Sequence, residues 1–136
     1  MKTCNLKLST ISVLILLAVP MHPAFAQKVR IVQTNSRSDV ISLIDPATQS
    51  VTAEISGVPV NHGAAGSPDG RFLYFSSEAK MTLDVVDTAT LQIIREIPMS
   101  ARPNNISIGK DGRYVYVGIM QGEGGIDVID TQSMTN

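Results

Sequence analysis

The chain repeats itself at a fixed spacing. Ile44-Asp45-Pro46-Ala47-Thr48 returns 42 positions later as Val86-Asp87-Thr88-Ala89-Thr90. At the same offset, Ser67-Pro68-Asp69-Gly70-Arg71-Phe72-Leu73-Tyr74 returns as Gly109-Lys110-Asp111-Gly112-Arg113-Tyr114-Val115-Tyr116. A third copy opens at Ile129-Asp130-Thr131, 43 positions after the second, with the extra residue absorbed in the glycine-rich stretch 121–125. A period in the low forties, built of short apolar runs and turn residues, is that of propeller blades, each a small antiparallel sheet set around an axis. Paired helices would need apolar residues at helical spacing over a dozen positions; here the apolar runs last four to six residues and are broken by Asp, Gly, Pro and Asn.

The turns set the strands. In the complete repeat, residues 63–67 form the first strand, closed by Pro68-Asp69-Gly70, where Pro fixes φ and Gly accepts a positive φ. Residues 72–76 and 82–87 follow; the latter is apolar on both faces, as a strand between two neighbouring blades should be. Residues 91–97, with Gln92, Arg95 and Glu96, suit an outer, wetter edge. The same parse puts 29–34, 40–44 and 51–55 in an incomplete first blade, and 105–108, 114–118 and 126–129 in a third. The expected fold is therefore all-β: four-stranded antiparallel β-propeller blades, about two and a half of them, in an incomplete ring. Propellers close with roughly 4 to 8 blades, so the remaining blades are expected in a longer parent chain, of which this is the N-terminal part.

Ahead of the repeats lie Lys2 and Lys7, an apolar run over 11–19, then Pro20, Pro23 and Ala24-Phe25-Ala26. This three-part pattern predicts a secretory signal peptide over 1–26, cleaved between Ala26 and Gln27, with small side chains at Ala24 and Ala26 for the protease pockets. The apolar run is about half the roughly 20 residues a membrane span requires, so no transmembrane segment is expected after cleavage. The product, residues 27–136, is expected in the periplasm or outside the cell. Cys4 would leave with the signal, and the remainder has no thiol for a disulfide, a nucleophile or a metal.

Past residue 26 the chain carries 9 basic and 12 acidic side chains and no basic run, which argues against nucleic acid and anionic membranes as partners. Aromatic residues are only 4% of the chain and Trp is absent, which disfavours base stacking and a sugar-binding platform.

The pattern Val-Ile-Asp-x-Ala-Thr, an outer strand, a Pro-containing loop and Ser-Pro-Asp-Gly-Arg-x-x-Tyr resembles the YVTN-type β-propeller repeat of exported bacterial and archaeal proteins, over essentially all of residues 28–136. Its second strands depart from the namesake, reading Ile31-Val32-Gln33-Thr34-Asn35, Leu73-Tyr74-Phe75-Ser76-Ser77 and Val115-Tyr116-Val117-Gly118-Ile119. The resemblance implies a seven-bladed parent. It also spans several functions: non-catalytic surface proteins, lactonases, and the haem-binding propeller of periplasmic nitrite reductases with its maturation homologues. The scaffold does not choose among them.

Strand direction alternates, so the loops entering first strands and those after second strands share one face, opposite the Asp-Gly turns. That face gathers Asn61, His62, Arg102 and Asn104, with residues 36–38, 78–80 and 121–123 around them. His62 is the one histidine left after processing. By the resemblance it occupies the place where haem-binding propellers present an axial histidine, and a neutral imidazole there could ligate iron. The plainer alternative is a loop histidine bonded to neighbouring backbone, since Asn104 takes the equivalent place one repeat on.

No Gly-x-Ser-x-Gly, His-Glu-x-x-His or P-loop pattern occurs, and Gly122-Glu123-Gly124-Gly125 lacks nucleotide-fingerprint spacing. Asp45, Asp87 and Asp130 recur once per blade at strand ends, which predicts turn caps, not catalysis. The favoured expectation is a non-enzymatic exported binding scaffold with a protein or small-molecule partner on the loop face, no catalytic residue, no metal ion and no cofactor. The alternative is a haem-bearing or lactonase-like propeller.

Overall fold

The computed structural model describes residues 29–136; the signal-peptide expectations, with Cys4, Ala24, Ala26 and Gln27, lie outside the described residues. Ten strands form three antiparallel sheets. The first holds β1 (Ile31–Gln33), β2 (Ile41–Asp45) and β3 (Ser50–Ile55). The second is complete: β4 (Asn61–Gly66), β5 (Phe72–Ser77), β6 (Thr82–Asp87) and β7 (Gln92–Pro98). The third holds β8 (Pro103–Ile108), β9 (Tyr114–Ile119) and β10 (Gly125–Asp130), and a bridge from Asp130 to Thr135 follows it. Every paired strand is a sequence neighbour of its partner, so each sheet is a meander. No helix occurs among the described residues.

Each turn closes with the chemistry its residues carry. Asp45, Asp87 and Asp130 each accept a backbone N–H two residues on through Oδ1, at 2.8, 2.9 and 2.8 Å. The residue ending each turn, Gln49, Leu91 or Met134, has a positive φ of 55, 59 or 56°. These turns are the reason β7 starts at Gln92 and not at Leu91. In the second and third sheets the threonine after the aspartate ties this turn to the Asp-Gly turn beside it: Thr88 Oγ1 donates to Gly70 O at 2.7 Å and Thr131 Oγ1 to Gly112 O at 2.8 Å. The first sheet has Pro46 at that place and lacks the hydroxyl.

Period-two alternation sorts side chains between the two interfaces of the middle sheet. Tyr74, Leu83 and Val85 face the third sheet, where they bury Val115, Val117 and Ile129. Phe75 and Val86 face the first, against Ile41, Leu43 and Ile55. Each such side chain contributes about 1.5–3 kcal/mol when removed from water, and β6 is buried from Leu83 to Val86 because it is covered on both sides. The outward face of the third sheet, with Tyr114, Tyr116, Ile126 and Val128, stays exposed, as do Ile31 and Val51 on the far side of the first.

The innermost strands differ from the expected boundaries. β4 begins at Asn61 and β8 at Pro103, each two residues earlier than the turn pattern suggests, because each opens with a bulge: the register skips between Asn61 and Ala64, and again between Pro103 and Ile106. A bulge re-aims the side chains it carries. His62 and Asn104 therefore sit inside strands, at matching bulged positions.

β4 and β8 also approach closely, and Gly63 allows it. A Cβ there would lie 2.5 Å from the Asn104 carbonyl oxygen and 2.8 Å from the Ile106 nitrogen. Ser76 bridges the same seam: its Oγ accepts from Gly63 N–H at 2.8 Å and donates to Asn104 O at 2.5 Å.

Candidate functional site

One end of the strands carries a cluster centred on Glu78. The residue follows β5, its N–H donates to Val60 O at 3.2 Å, and its side chain is 2% exposed. A carboxylate this buried has to be met by donors. Arg102 donates to Oε2 through Nε at 2.6 Å and through Nη2 as well. Asn104 Nδ2 donates to Oε1 at 2.9 Å, and His62 Nδ1 lies 2.5 Å from the same oxygen. Burial alone would push Glu78 up, but Arg102, Asn104 and His62 together hold it below the usual glutamate range.

Of the four residues expected on this face, the structure brings three together. His62 and Arg102 are 37% and 43% exposed at their side chains, and Asn104 lies between them, with its Nδ2 2.6 Å from His62 Nδ1. Asn61 is elsewhere in effect: it is fully buried. Its Oδ1 accepts from Asn35 N–H at 2.5 Å, and its Nδ2 donates to Val58 O at 2.7 Å and Ser38 O at 3.4 Å. It staples the first sheet's loop to the second and has no surface to offer a partner. Val60, just before it, is held at φ 51°, a rare conformation for a β-branched residue.

A shallow hollow of about 290 Å³ adjoins the cluster, lined by Val60, Glu78, Ala79, Met81, Arg102 and Gln121. Among the described residues no three His, Cys, Asp or Glu side chains converge as a metal-ion site.

Sequence reasoning placed Glu78 only at the edge of this face. The repeat held a signal for it: the position is Ser36 one period before and Met120 one period after, so Glu78 breaks the pattern, as His62 and Arg102 do.

A propeller-blade fold with a polar cluster on one loop face is common to many proteins, and comparison narrows it. Residues 26–135 match the Cytochrome D1 heme domain, and the chain belongs to that family. Among solved structures, Kuenenia stuttgartiensis hydrazine synthase matches with a TM-score of 0.72 and 33% identity over 78% of this chain and 30% of its own. The dihydro-heme d1 dehydrogenase NirN, in complex with DHE, matches at 0.65 and 24% identity over 88% of this chain and 25% of its own. A protein of unknown function from Desulfotomaculum acetoxidans DSM 771 matches at 0.62 and 17% identity over 74% of this chain and 33% of its own. The last two are likenesses of fold. The chain thus spans about a third or less of each of these structures, the first two of which support the propeller architecture. No curated protein matches the chain.

Proposed function

We propose that this chain contributes blades of an exported propeller that binds a haem-type tetrapyrrole on its loop face, where His62 would offer its iron a nitrogen. The observation that carries the reading is the contact of His62 Nδ1 with the buried Glu78 carboxylate, in a chain of the Cytochrome D1 heme domain family. A ring nitrogen held by a carboxylate leaves the other nitrogen for a metal, and such pairing orients and strengthens histidine ligands. A bound tetrapyrrole would supply an iron centre for redox or ligand chemistry.

The chain's own residues would hold it. His62 offers a nitrogen from a bulged strand that cannot slide, because Gly63 and Ser76 lock β4 against β8. Arg102, partly exposed beside the hollow, offers guanidinium N–H groups to an acidic substituent at the ligand's edge. The hollow is at or below the small end of the ~300–1,000 Å³ range of ligand clefts, which fits one wall of a larger site completed by further blades of a longer parent chain. Residues 1–26 act in this reading as the export signal and 27–136 as propeller.

Titration of the parent protein with an iron tetrapyrrole tests the proposal. The wild type should show a Soret band that His62→Ala shifts, with affinity lowered more than about 100-fold, beyond the loss from removing a mere outer partner. A colourless wild type with a silent His62→Ala substitution would return the protein to the non-enzymatic scaffold reading, in which the face binds a protein or another small molecule.

A further inference from the structure

We infer that Glu78 is the positioning residue of this site: it fixes the neutral His62 ring as the Nδ1–H tautomer and leaves Nε2 as a bare lone-pair donor. The inference rests on the tetrapyrrole reading only for what Nε2 would bind. The tautomer itself follows from the geometry of four side chains.

Two groups crowd His62 Nδ1. Glu78 Oε1 lies at 2.5 Å and Asn104 Nδ2 at 2.6 Å. A carboxylate oxygen only accepts, so an unprotonated Nδ1 would point a lone pair at an anion at that distance. Nδ1 must carry the hydrogen. Asn104 Nδ2 then cannot donate to the same atom, and its hydrogen goes to Glu78 Oε1 at 2.9 Å. If the Asn104 amide were turned over, its oxygen would face Nδ1 and would again require a hydrogen there. Both assignments give one tautomer, and in neither does a described residue hydrogen-bond Nε2.

Glu78 is itself immobilised. Arg102 clamps Oε2 through two nitrogens, and the backbone of residue 78 is pinned to Val60. The carboxylate plane is thus fixed from one side by Arg102 and presented to the ring from the other. The isosteric Glu78→Gln keeps the shape and removes this compulsion. Its oxygen would be drawn to Arg102, which turns the amide NH2 toward His62; Nδ1 then has to accept, and the hydrogen moves to Nε2.

The test is ring 15N NMR of selectively labelled histidine in the full chain without any tetrapyrrole, at a pH where the ring is neutral. Wild type should show a protonated Nδ1 and a pyridine-type Nε2; Glu78→Gln should reverse the two, with backbone amide spectra reporting that the fold is kept. Arg102→Met, which retains the carboxylate, should leave the wild-type tautomer in place. A second readout is iron-tetrapyrrole affinity, expected to fall roughly 10–100-fold in Glu78→Gln. An Nε2–H ring in the wild type, or an unchanged tautomer in folded Glu78→Gln, overturns the inference whether or not the protein binds a tetrapyrrole. If Glu78→Gln does not fold, the wild-type and Arg102→Met spectra decide alone. The inferred tautomer in a protein that binds no tetrapyrrole would sink the proposed function and leave this inference standing.

Discussion

At the scale of single residues, the buried carboxylates are the sensitive points. Asp84 is fully buried on β6 and is met by Thr82 Oγ1 at 2.6 Å and Lys80 Nζ at 3.0 Å, while Lys80 also reaches Glu96 at 2.5 Å. Burial pushes the Asp84 carboxyl up, and these two donors do not fully offset it. Lys80→Met should therefore cost about 2 kcal/mol in urea unfolding, the price of an under-paired buried acid, and adding Asp84→Leu should recover most of it, since an ion pair can be replaced by apolar packing. The turn aspartates behave in the opposite way. Asp69 is lowered by the Ser67 hydroxyl, Asp87 by the Thr90 N–H and Asp130 by the Gln132 N–H. Their carboxyls are held below the ordinary aspartate range in the folded state, so their contribution is present above that range and is lost as pH falls from it through the lowered folded values. The urea midpoint should drop on acidification below about pH 4, and Asp69→Asn with Asp87→Asn should flatten that drop. The turn role was legible in the sequence because it repeats in every blade. For Glu78 the repeat showed only that its position varies, because its role comes from contacts with Arg102 and Asn104, more than twenty residues away, that no local pattern encodes.

At the scale of elements, the seam between β4 and β8 positions the site, and Gly63 is its narrowest point. Gly63→Ala would thrust a methyl group against backbone that cannot swing aside. We expect a loss of about 3 kcal/mol in chemical denaturation, with a changed His62 environment by NMR. Gly66→Ala, in the same strand, meets only Leu73 Cδ2 at 3.6 Å and should be tolerated within about 0.5 kcal/mol. Strand number and order followed from turn chemistry, since Pro68-Asp69-Gly70 and Asp87 leave little choice of where the chain reverses. The two bulges did not, because Asn61-His62-Gly63 carries no mark separating a loop from a strand that skips register. That skip moved Asn61 from the expected open face to a buried staple and put His62 within reach of Glu78.

At the scale of the whole molecule, the open flanks dominate. Ile126 is 67% exposed and lies with Tyr114, Tyr116 and Val128 on one apolar sheet face, which matches by repeat position the face that the middle sheet buries against its neighbour. Residues 27–136 expressed alone should self-associate through it. Tyr116→Lys with Val128→Lys should shift light-scattering mass toward the monomer, and a monodisperse wild-type monomer would show that the face needs no cover. The meander topology has a consequence in time. Because every hydrogen-bonded pair of strands among the described residues joins neighbours in sequence, none of these pairings has to wait for a distant stretch of chain, and the entropy of closing long loops is a small barrier to forming them. Each blade can form from its own stretch of chain and dock on the one before it. The molecule can thus be assembled in the order in which it is read, with the Glu78 cluster completed only when β8 arrives and brings Asn104 to His62.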